Sequence, residues 1–257
     1  GNVYALEYSY QRIRVFDSSG KFLRDFGGYG YGGRSCNRWG YARQIDIYND
    51  QIYIADYYGQ KINVVDLYGN CIKRGNATDW YAAGIAVGSN YTYVSYESYW
   101  SPKISIHNTS NLSHVNTYTN SSYLKYTRSL DLNSSEDTLM ASNMYTWGGQ
   151  PPIVQFNVSG SSLAYSKSIG TSSWSRGNGT FTYTYDAVFD GNDNIYATDY
   201  YGHRVQKFNS SGTYQAQYGS YPPWGSTDPF KYPQGLGVDS SNNIYVADYS
   251  QDAVRKL

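Results

Sequence analysis

The 257-residue chain carries 20 basic and 20 acidic residues, so its formal net charge is zero, and charged residues make up only 16% of it. The balance, with no basic stripe, excludes an electrostatic footprint for nucleic acid, and the charged share falls below the roughly 25% of typical soluble domains. Aromatics reach 18%, with 32 Tyr, which favours pleated, half-buried surfaces, and no run of about 18 apolar residues occurs that would predict a transmembrane helix.

The chain starts at Gly1 directly in a strand-like run, with no visible signal peptide. That start fits a mature, processed form and equally fits intracellular synthesis. The first run, Val3-Tyr4-Ala5-Leu6-Glu7-Tyr8, precedes Arg12-Ile13-Arg14-Val15-Phe16-Asp17. The turn Asp17-Ser18-Ser19-Gly20 and the run Lys21-Phe22-Leu23-Arg24-Asp25-Phe26 follow. Asp, Asn and Gly tolerate the positive φ of tight hairpins.

The unit then recurs with a short apolar strand in front. Gln44-Ile45-Asp46-Ile47 leads to Ile52-Tyr53-Ile54-Ala55-Asp56-Tyr57-Tyr58-Gly59 and to Lys61-Ile62-Asn63-Val64-Val65-Asp66. Gly84-Ile85-Ala86-Val87 leads to Thr92-Tyr93-Val94-Ser95-Tyr96. Ser129-Leu130-Asp131-Leu132 leads to Thr138-Leu139-Met140-Ala141-Ser142-Asn143. The segment Thr180-Phe181-Thr182-Tyr183-Thr184-Tyr185 alternates as an extra strand would. Ala187-Val188-Phe189-Asp190 leads to Ile195-Tyr196-Ala197-Thr198-Asp199-Tyr200-Tyr201-Gly202 and Arg204-Val205-Gln206-Lys207-Phe208-Asn209. Gly235-Leu236-Gly237-Val238-Asp239 leads to Ile244-Tyr245-Val246-Ala247-Asp248-Tyr249.

The anchors Tyr4, Tyr53, Tyr93, Leu139, Tyr196 and Tyr245 lie 49, 40, 46, 57 and 49 residues apart. Six repeats at such a period mean stacked units. Each unit reads as four up-and-down strands, and radial stacking buries faces that one sheet cannot bury alone. The expected fold is all-β: a six-bladed β-propeller of four-stranded antiparallel blades in a single domain, 1–257. The count gives 22 strands where six full blades need 24. Blade one lacks its innermost strand and blade six stops at Leu257 before its outer strand. The two edges are templates for another chain's strand, or the terminal blades are simply trimmed.

The pattern Ile-Tyr-Val-Ala-Asp, turn, Arg-Val-x-x-Phe, turn with Gly resembles the NHL repeat. So does the connection Tyr218-Gly219-Ser220 to Phe230-Lys231-Tyr232-Pro233-Gln234-Gly235-Leu236. The likeness is strong in blades one, two, five and six. Blades three and four lack the Asp and the basic residue after the turn. The resemblance implies a propeller whose common role is recognition across one face. Some related propellers are zinc lyases with histidines in the central channel.

Acid and base recur five residues apart at Glu7 and Arg12, Asp56 and Lys61, and Asp199 and Arg204. They brace the turn as ion pairs or offer carboxylates to a substrate. His107, His114 and His203 fall on a third strand, an outer strand and a turn, so no zinc site is expected. Asp46 and Asp131, on inner strands, are the only acids placed for calcium or acid–base work, and two are few for either. The expectation is no catalytic residue, no metal and no cofactor. Cys36 and Cys71 can meet at one blade boundary as a disulfide in an oxidising compartment, or stay as thiols in a reducing one.

Nine Asn-x-Ser/Thr sequons occur, at Asn76, Asn90, Asn108, Asn111, Asn120, Asn133, Asn157, Asn178 and Asn209. That is about twice chance for this composition. Tyr29, Tyr31, Tyr57, Tyr58, Tyr96, Tyr99, Tyr200, Tyr201, Tyr218 and Tyr221 are expected in turns, on loops of both faces. Tyr gives large contact area with a polar tip, as interfaces use. Together these features point to an extracellular or cell-surface glycoprotein without enzymatic activity. Its partners are further copies of itself, as an oligomer or filament, or another surface protein or glycan. The alternatives are a recognition module and a metal-dependent propeller lyase or lactonase.

Overall fold

The computed structural model describes residues 1–30, 35–144, 149–221 and 230–257, and Tyr31 lies outside them. The described chain is all-β, with one 3-10 turn at Tyr249–Gln251. It has six blades in sequence, the strand plan of a six-bladed β-propeller, and forms two compact units.

Unit 1 comprises Gly1–Ser98 and Lys103–Thr119. Blade one is β1 (Val3–Glu7), β2 (Arg12–Phe16) and β3 (Phe22–Gly27). Blade two is β4 (Ala42–Tyr48), β5 (Gln51–Asp56), β6 (Lys61–Asp66) and β7 (Cys71–Asn76). Blade three is β8 (Ala82–Val87), β9 (Tyr91–Tyr96), β10 (Lys103–Asn108) and β11 (His114–Thr119).

Unit 2 comprises Tyr99–Pro102 and Asn120–Leu257. Blade four is β12 (Thr127–Leu132), β13 (Thr138–Asn143), β14 (Ile153–Ser159) and β15 (Ser162–Ile169). A small parallel pair, β16 (Thr171–Ser172) and β17 (Thr180–Phe181), follows. Blade five is β18 (Thr184–Phe189), β19 (Ile195–Asp199), β20 (Arg204–Phe208) and β21 (Tyr214–Tyr218). Blade six is β22 (Pro233–Val238), β23 (Ile244–Asp248) and β24 (Ala253–Lys256).

Both terminal blades therefore have three strands, with the inner one absent from blade one and the outer one from blade six. Two readings of the repeat shift. The register sets Asp131 opposite Met140, as Asp46 stands opposite Tyr53, so the blade-four anchor is Met140 rather than Leu139. The alternating segment before blade five is not one strand. Its Thr180 and Phe181 form β17, and its Thr184 and Tyr185 open β18.

The second strand of blade two is buried on both faces, as Ile52, Tyr53, Ile54 and Ala55 show. Neighbouring blades share these cores. Ile13 and Val15 of blade one pack with Trp39, Ile52, Ile54 and Val65. In unit 2, Met140 and Ile153 pack with Phe181, Ala187, Ile195 and Phe208. The 3–4 turns form as the sequence requires. Asp17 Oδ1 accepts the Ser19 and Lys21 amides (2.9 and 3.0 Å) and Gly20 takes φ 84°; Asn209 and Gly212 repeat the arrangement.

Inner-strand side chains also staple blade to blade. In unit 1, Gln44 Oε1 accepts the Ile85 amide and Asp46 Oδ2 the Val87 amide, each at 2.7 Å. In unit 2, Asp131 Oδ2 accepts the Phe189 amide (2.6 Å) and Asp186 Oδ2 the Leu236 amide (2.8 Å). Asp46 and Asp131 are thus strand clamps, and Asp186, which the sequence reading passed over, is a third. Cys36 and Cys71 form a disulfide with 5.3 Å between Cα atoms and 35 residues between them in sequence.

Two outcomes are expected. Burial pushes the carboxyls of Asp46 and Asp186 up to about 6. The folded chain then binds more protons than the unfolded one between roughly pH 4 and 6, and these groups add stability as pH falls through that window. In denaturant titrations, wild type gains stability relative to Asp46→Asn/Asp186→Asn as pH falls from 7.5 to 4.5. Cys36→Ser/Cys71→Ser loses about 4 kcal/mol in the chain-entropy view of a 35-residue loop, read from unfolding midpoints without reductant.

Candidate functional site: a tyrosine box at one end of the blades

In an up-and-down blade the 2–3 hairpin and the 4–1 connection leave at the same end. The 1–2 and 3–4 turns share the other end. The first end is built on one acceptor at the close of each second strand. Asp56 Oδ1 accepts the amides of Gly40 and Gly59 at 2.9 and 3.0 Å. Asp199 Oδ1 accepts the Thr182 amide at 2.9 Å and its hydroxyl, while Oδ2 accepts Arg204 Nε at 3.0 Å. Asp248 accepts the Lys231 amide.

The blades without an acid supply another oxygen. Asn143 Oδ1 accepts the Lys125 amide at 3.2 Å, and Tyr96 Oη accepts the Thr78 amide at 2.9 Å. Tyr96 is therefore a buried brace, 1% exposed, and not a turn residue open to a partner. The acid–base pairs follow this plan at Glu7–Arg12 and Asp199–Arg204. At Asp56 the pairing fails: Lys61 donates to Asn76 Oδ1, and Asn63 donates to Asp56 instead. A Cβ on Gly59 or Gly202 would fall 2.0 or 2.2 Å from the aspartate Oδ2, so only glycine closes Asp-Tyr-Tyr-Gly.

The connection braced in this way delivers a tyrosine one residue before each inner strand: Tyr41, Tyr81, Tyr126, Tyr183 and Tyr232. The first two sit in unit 1 and the rest in unit 2. Tyr41, Tyr81, Tyr126 and Tyr232 take φ of 72°, 68°, 48° and 69°. Glycine adopts that backbone at no steric cost, whereas a bulky residue there is an outlier. What the position retains is the side chain.

In unit 1, Tyr41, Tyr57, Tyr58 and Tyr81 form a box. Tyr58 stands edge-on to Tyr41 (5.2 Å, 89°) and to Tyr57 (4.9 Å, 80°), and Tyr57 meets Tyr81 at 5.0 Å. Unit 2 repeats it with Tyr183, Tyr200, Tyr201 and Tyr232. Tyr201 stands edge-on to Tyr183 (5.1 Å, 87°) and to Tyr200 (4.9 Å, 81°), and Tyr200 meets Tyr232 at 4.8 Å. Such tilted geometry suits the ring quadrupole.

Around the first box, Arg43 lies between the rings of Tyr8 (4.8 Å) and Tyr57 (4.5 Å), 3.9 Å from Glu97. Burial pushes the Tyr57 hydroxyl well above its ordinary range. Around the second, Trp174, Tyr221, Arg176 and His203 extend the surface. Trp174 is 6.0 Å from Tyr201, and Arg176 lies 3.7 Å over Tyr221. Burial pushes Tyr200 up to about 12 and lowers the proton affinity of His203, whose Nδ1 accepts the Tyr232 amide.

The two ends differ sharply. Among the described residues, exposed Tyr8, Tyr10, Tyr29, Tyr58 and Tyr81 in unit 1 lie at the box end, and so do Tyr99, Tyr201, Tyr218, Tyr221 and Tyr249 in unit 2. In the turns of the other end only Tyr68 is exposed. Tyrosine thus stands on loops of both ends, but among the described residues its exposed copies crowd one of them in each unit. The sequons distribute in the opposite sense. In unit 1, Asn90, Asn108 and Asn111 lie at the end away from the box, with Asn76 at the box end. In unit 2, Asn133, Asn157 and Asn209 lie away from it, with Asn120 and Asn178 at it. Asn133 is 4% exposed, and its Nδ2 donates to Ser135 and Asp137.

The histidines stay apart from any such centre. His107 is buried, within 2.8 Å of Ser105 Oγ, and burial lowers its pKa to about 4; His114 packs against its ring. Among the described residues no three His, Cys, Asp or Glu side chains converge as metal ligands, and no helix is long and apolar enough to cross a membrane.

Neither a family model nor a curated protein sequence matches the chain. Solved structures do. A chain of Kuenenia stuttgartiensis hydrazine synthase is similar at TM-score 0.66 and 11% identity, covering 100% of this chain and 92% of that one. A Bacteroides thetaiotaomicron protein of unknown function aligns at TM-score 0.61 and 14% identity, over 96% of this chain and 70% of that one. A chain of a nidogen/laminin complex aligns at TM-score 0.62 and 14% identity, over 84% and 74%. At these identities the likeness shows the fold, a six-bladed β-propeller.

The brace predicts two outcomes. Asp199→Ala leaves Arg204, 3% exposed, without its carboxylate, and is expected to cost about 3–5 kcal/mol. Gly59→Ala displaces the Asp56 carboxylate from one buried and one half-buried amide, and is expected to cost about 1–3 kcal/mol. Both are read from denaturant midpoints.

Proposed function

We propose that this chain is an extracellular, glycosylated propeller of the NHL-repeat kind that acts without catalysis as a structural, self-associating surface protein. One observation carries the reading: in each unit the exposed tyrosines crowd one end of the blades, and most sequons lie at the other. A surface built from edge-locked tyrosines offers contact area at little entropic cost. Sugar at the opposite end would keep that end hydrated in a protein with so few charges. The disulfide is compatible with an oxidising compartment.

A second reading is a recognition module for a different surface protein or glycan. The crowding of exposed tyrosine at one end favours it, since a docking face concentrates its aromatics. A similar propeller chain belongs to a nidogen/laminin complex, which is in keeping with protein binding.

The deciding measurement is electron microscopy of the native protein, with mass spectrometry of its tryptic peptides. Ordered filaments or sheets, with glycan mass on sequon peptides, are the expected result. Glycosylated single particles at high concentration would move the function to the recognition module. Unmodified asparagines would remove the glycoprotein reading.

A further inference from the structure

We infer that the tyrosine-lined end of a unit in one copy binds the N-linked glycans carried by the opposite end of a unit in the next copy, so that copies associate through two unlike surfaces. The inference rests on the glycoprotein, self-associating reading above and adds the chemistry of the contact.

The aromatic half of the contact is built. In unit 2, Trp174 is 53% exposed and Tyr221 46%, and both flank Tyr201 or its neighbour His203. In unit 1, Tyr81 of the first box and Trp80, next to it in sequence, are each exposed by more than two-fifths. Pyranose rings present C–H groups on one face and hydroxyls at the rim. Aromatic faces take the first, and tyrosine hydroxyls and arginine guanidinia take the second. Arg176 over Tyr221 and Arg43 between Tyr8 and Tyr57 place such donors beside the rings.

The sugar half lies on the same chain at the other end of the blades. Asn90 and Asn111 are exposed in the turns of blade three, with Asn108 half-buried beside them. Asn157 is exposed in blade four and Asn209 half-buried in blade five. Among the described residues the exposed aromatics of that end are fewer, Tyr68 and, just after the 3–4 turn of blade one, Phe22. Two different patches on one molecule make a heterologous contact, which builds a ring where its rotation closes and a filament where it does not. With a net charge of zero on the chain, long-range Coulomb forces neither drive nor oppose it, so association should vary little with salt.

The test is sedimentation velocity and electron microscopy of the glycoprotein and three variants. Asn90→Gln/Asn108→Gln/Asn111→Gln/Asn157→Gln/Asn209→Gln is expected to weaken association tenfold or more. Asn76→Gln/Asn120→Gln/Asn178→Gln, at the box end, is expected to leave it unchanged or stronger. Trp174→Ala/Tyr221→Ala is expected to weaken it tenfold with an unchanged unfolding midpoint. Glycopeptides cut from the same protein, added in excess, should dissolve assemblies of the wild type, which covers the case of a fivefold variant that does not fold. Assemblies that persist undiminished when mass spectrometry shows the five sites bare, or that ignore the glycopeptides, overturn the inference and leave self-association standing. A glycoprotein that never associates, or a chain without glycan, overturns both.

Discussion

One oxygen at the end of the second strand ties down the connection that enters each of blades two to six. In blades two, five and six it belongs to Asp56, Asp199 and Asp248, and it accepts a backbone amide two residues ahead of the inner strand. That amide lies where the chain turns inward, away from water. Left unmet, it would cost on the order of 1–3 kcal/mol. The oxygen need not be charged, because Asn143 does the same in blade four, and in blade three Tyr96 accepts the Thr78 amide four residues ahead of the inner strand. What the fold demands is an acceptor at a place, and the aspartate is only its commonest form.

Everything at the box end hangs on that acceptor. It fixes the turn of the incoming connection, and the turn presents a tyrosine just before the inner strand. The same acceptor presses against Gly59 or Gly202 and so sets the two tyrosines that precede each glycine. Rings from two connections and one hairpin then meet, edge to face around Tyr58 and Tyr201 and tilted at Tyr57–Tyr81 and Tyr200–Tyr232. Because the brace recurs, the box recurs, with nearly the same spacings in each unit.

Much of this was legible in the sequence. The repeat Ile-Tyr-x-Ala-Asp gave the blade phase, and counting strands identified which strand each terminal blade lacks. Phase slipped only in blade four, where Met140 replaces the anchor tyrosine and Leu139 looked the better match. The brace was read as an acid–base pair, because a side chain's bond to a distant amide leaves no mark in local spacing. The tyrosines at 41, 81, 126, 183 and 232 did carry a signal, always one place before an inner strand. They went unread because the repeat was aligned on its apolar core, and connections of unequal length hide a shared position. Tyr96 misled for the opposite reason: its place in an exposed-looking run conceals a hydroxyl aimed into the blade.

The bond between Cys36 and Cys71 has a mechanical side. It joins the connection leaving blade one to the outer strand of blade two, with 35 residues between. Tension along the backbone would pass from one cysteine straight to the other. The enclosed segment, about 120 Å of contour at roughly 3.4 Å per residue, is withheld from extension while the sulfurs stay joined. It contains β4, β5 and β6, the inner three strands of blade two. Under load, blade two would give up only its outer strand, and the aspartate clamp on β4 that grips blade three would lie within the part that cannot be pulled out.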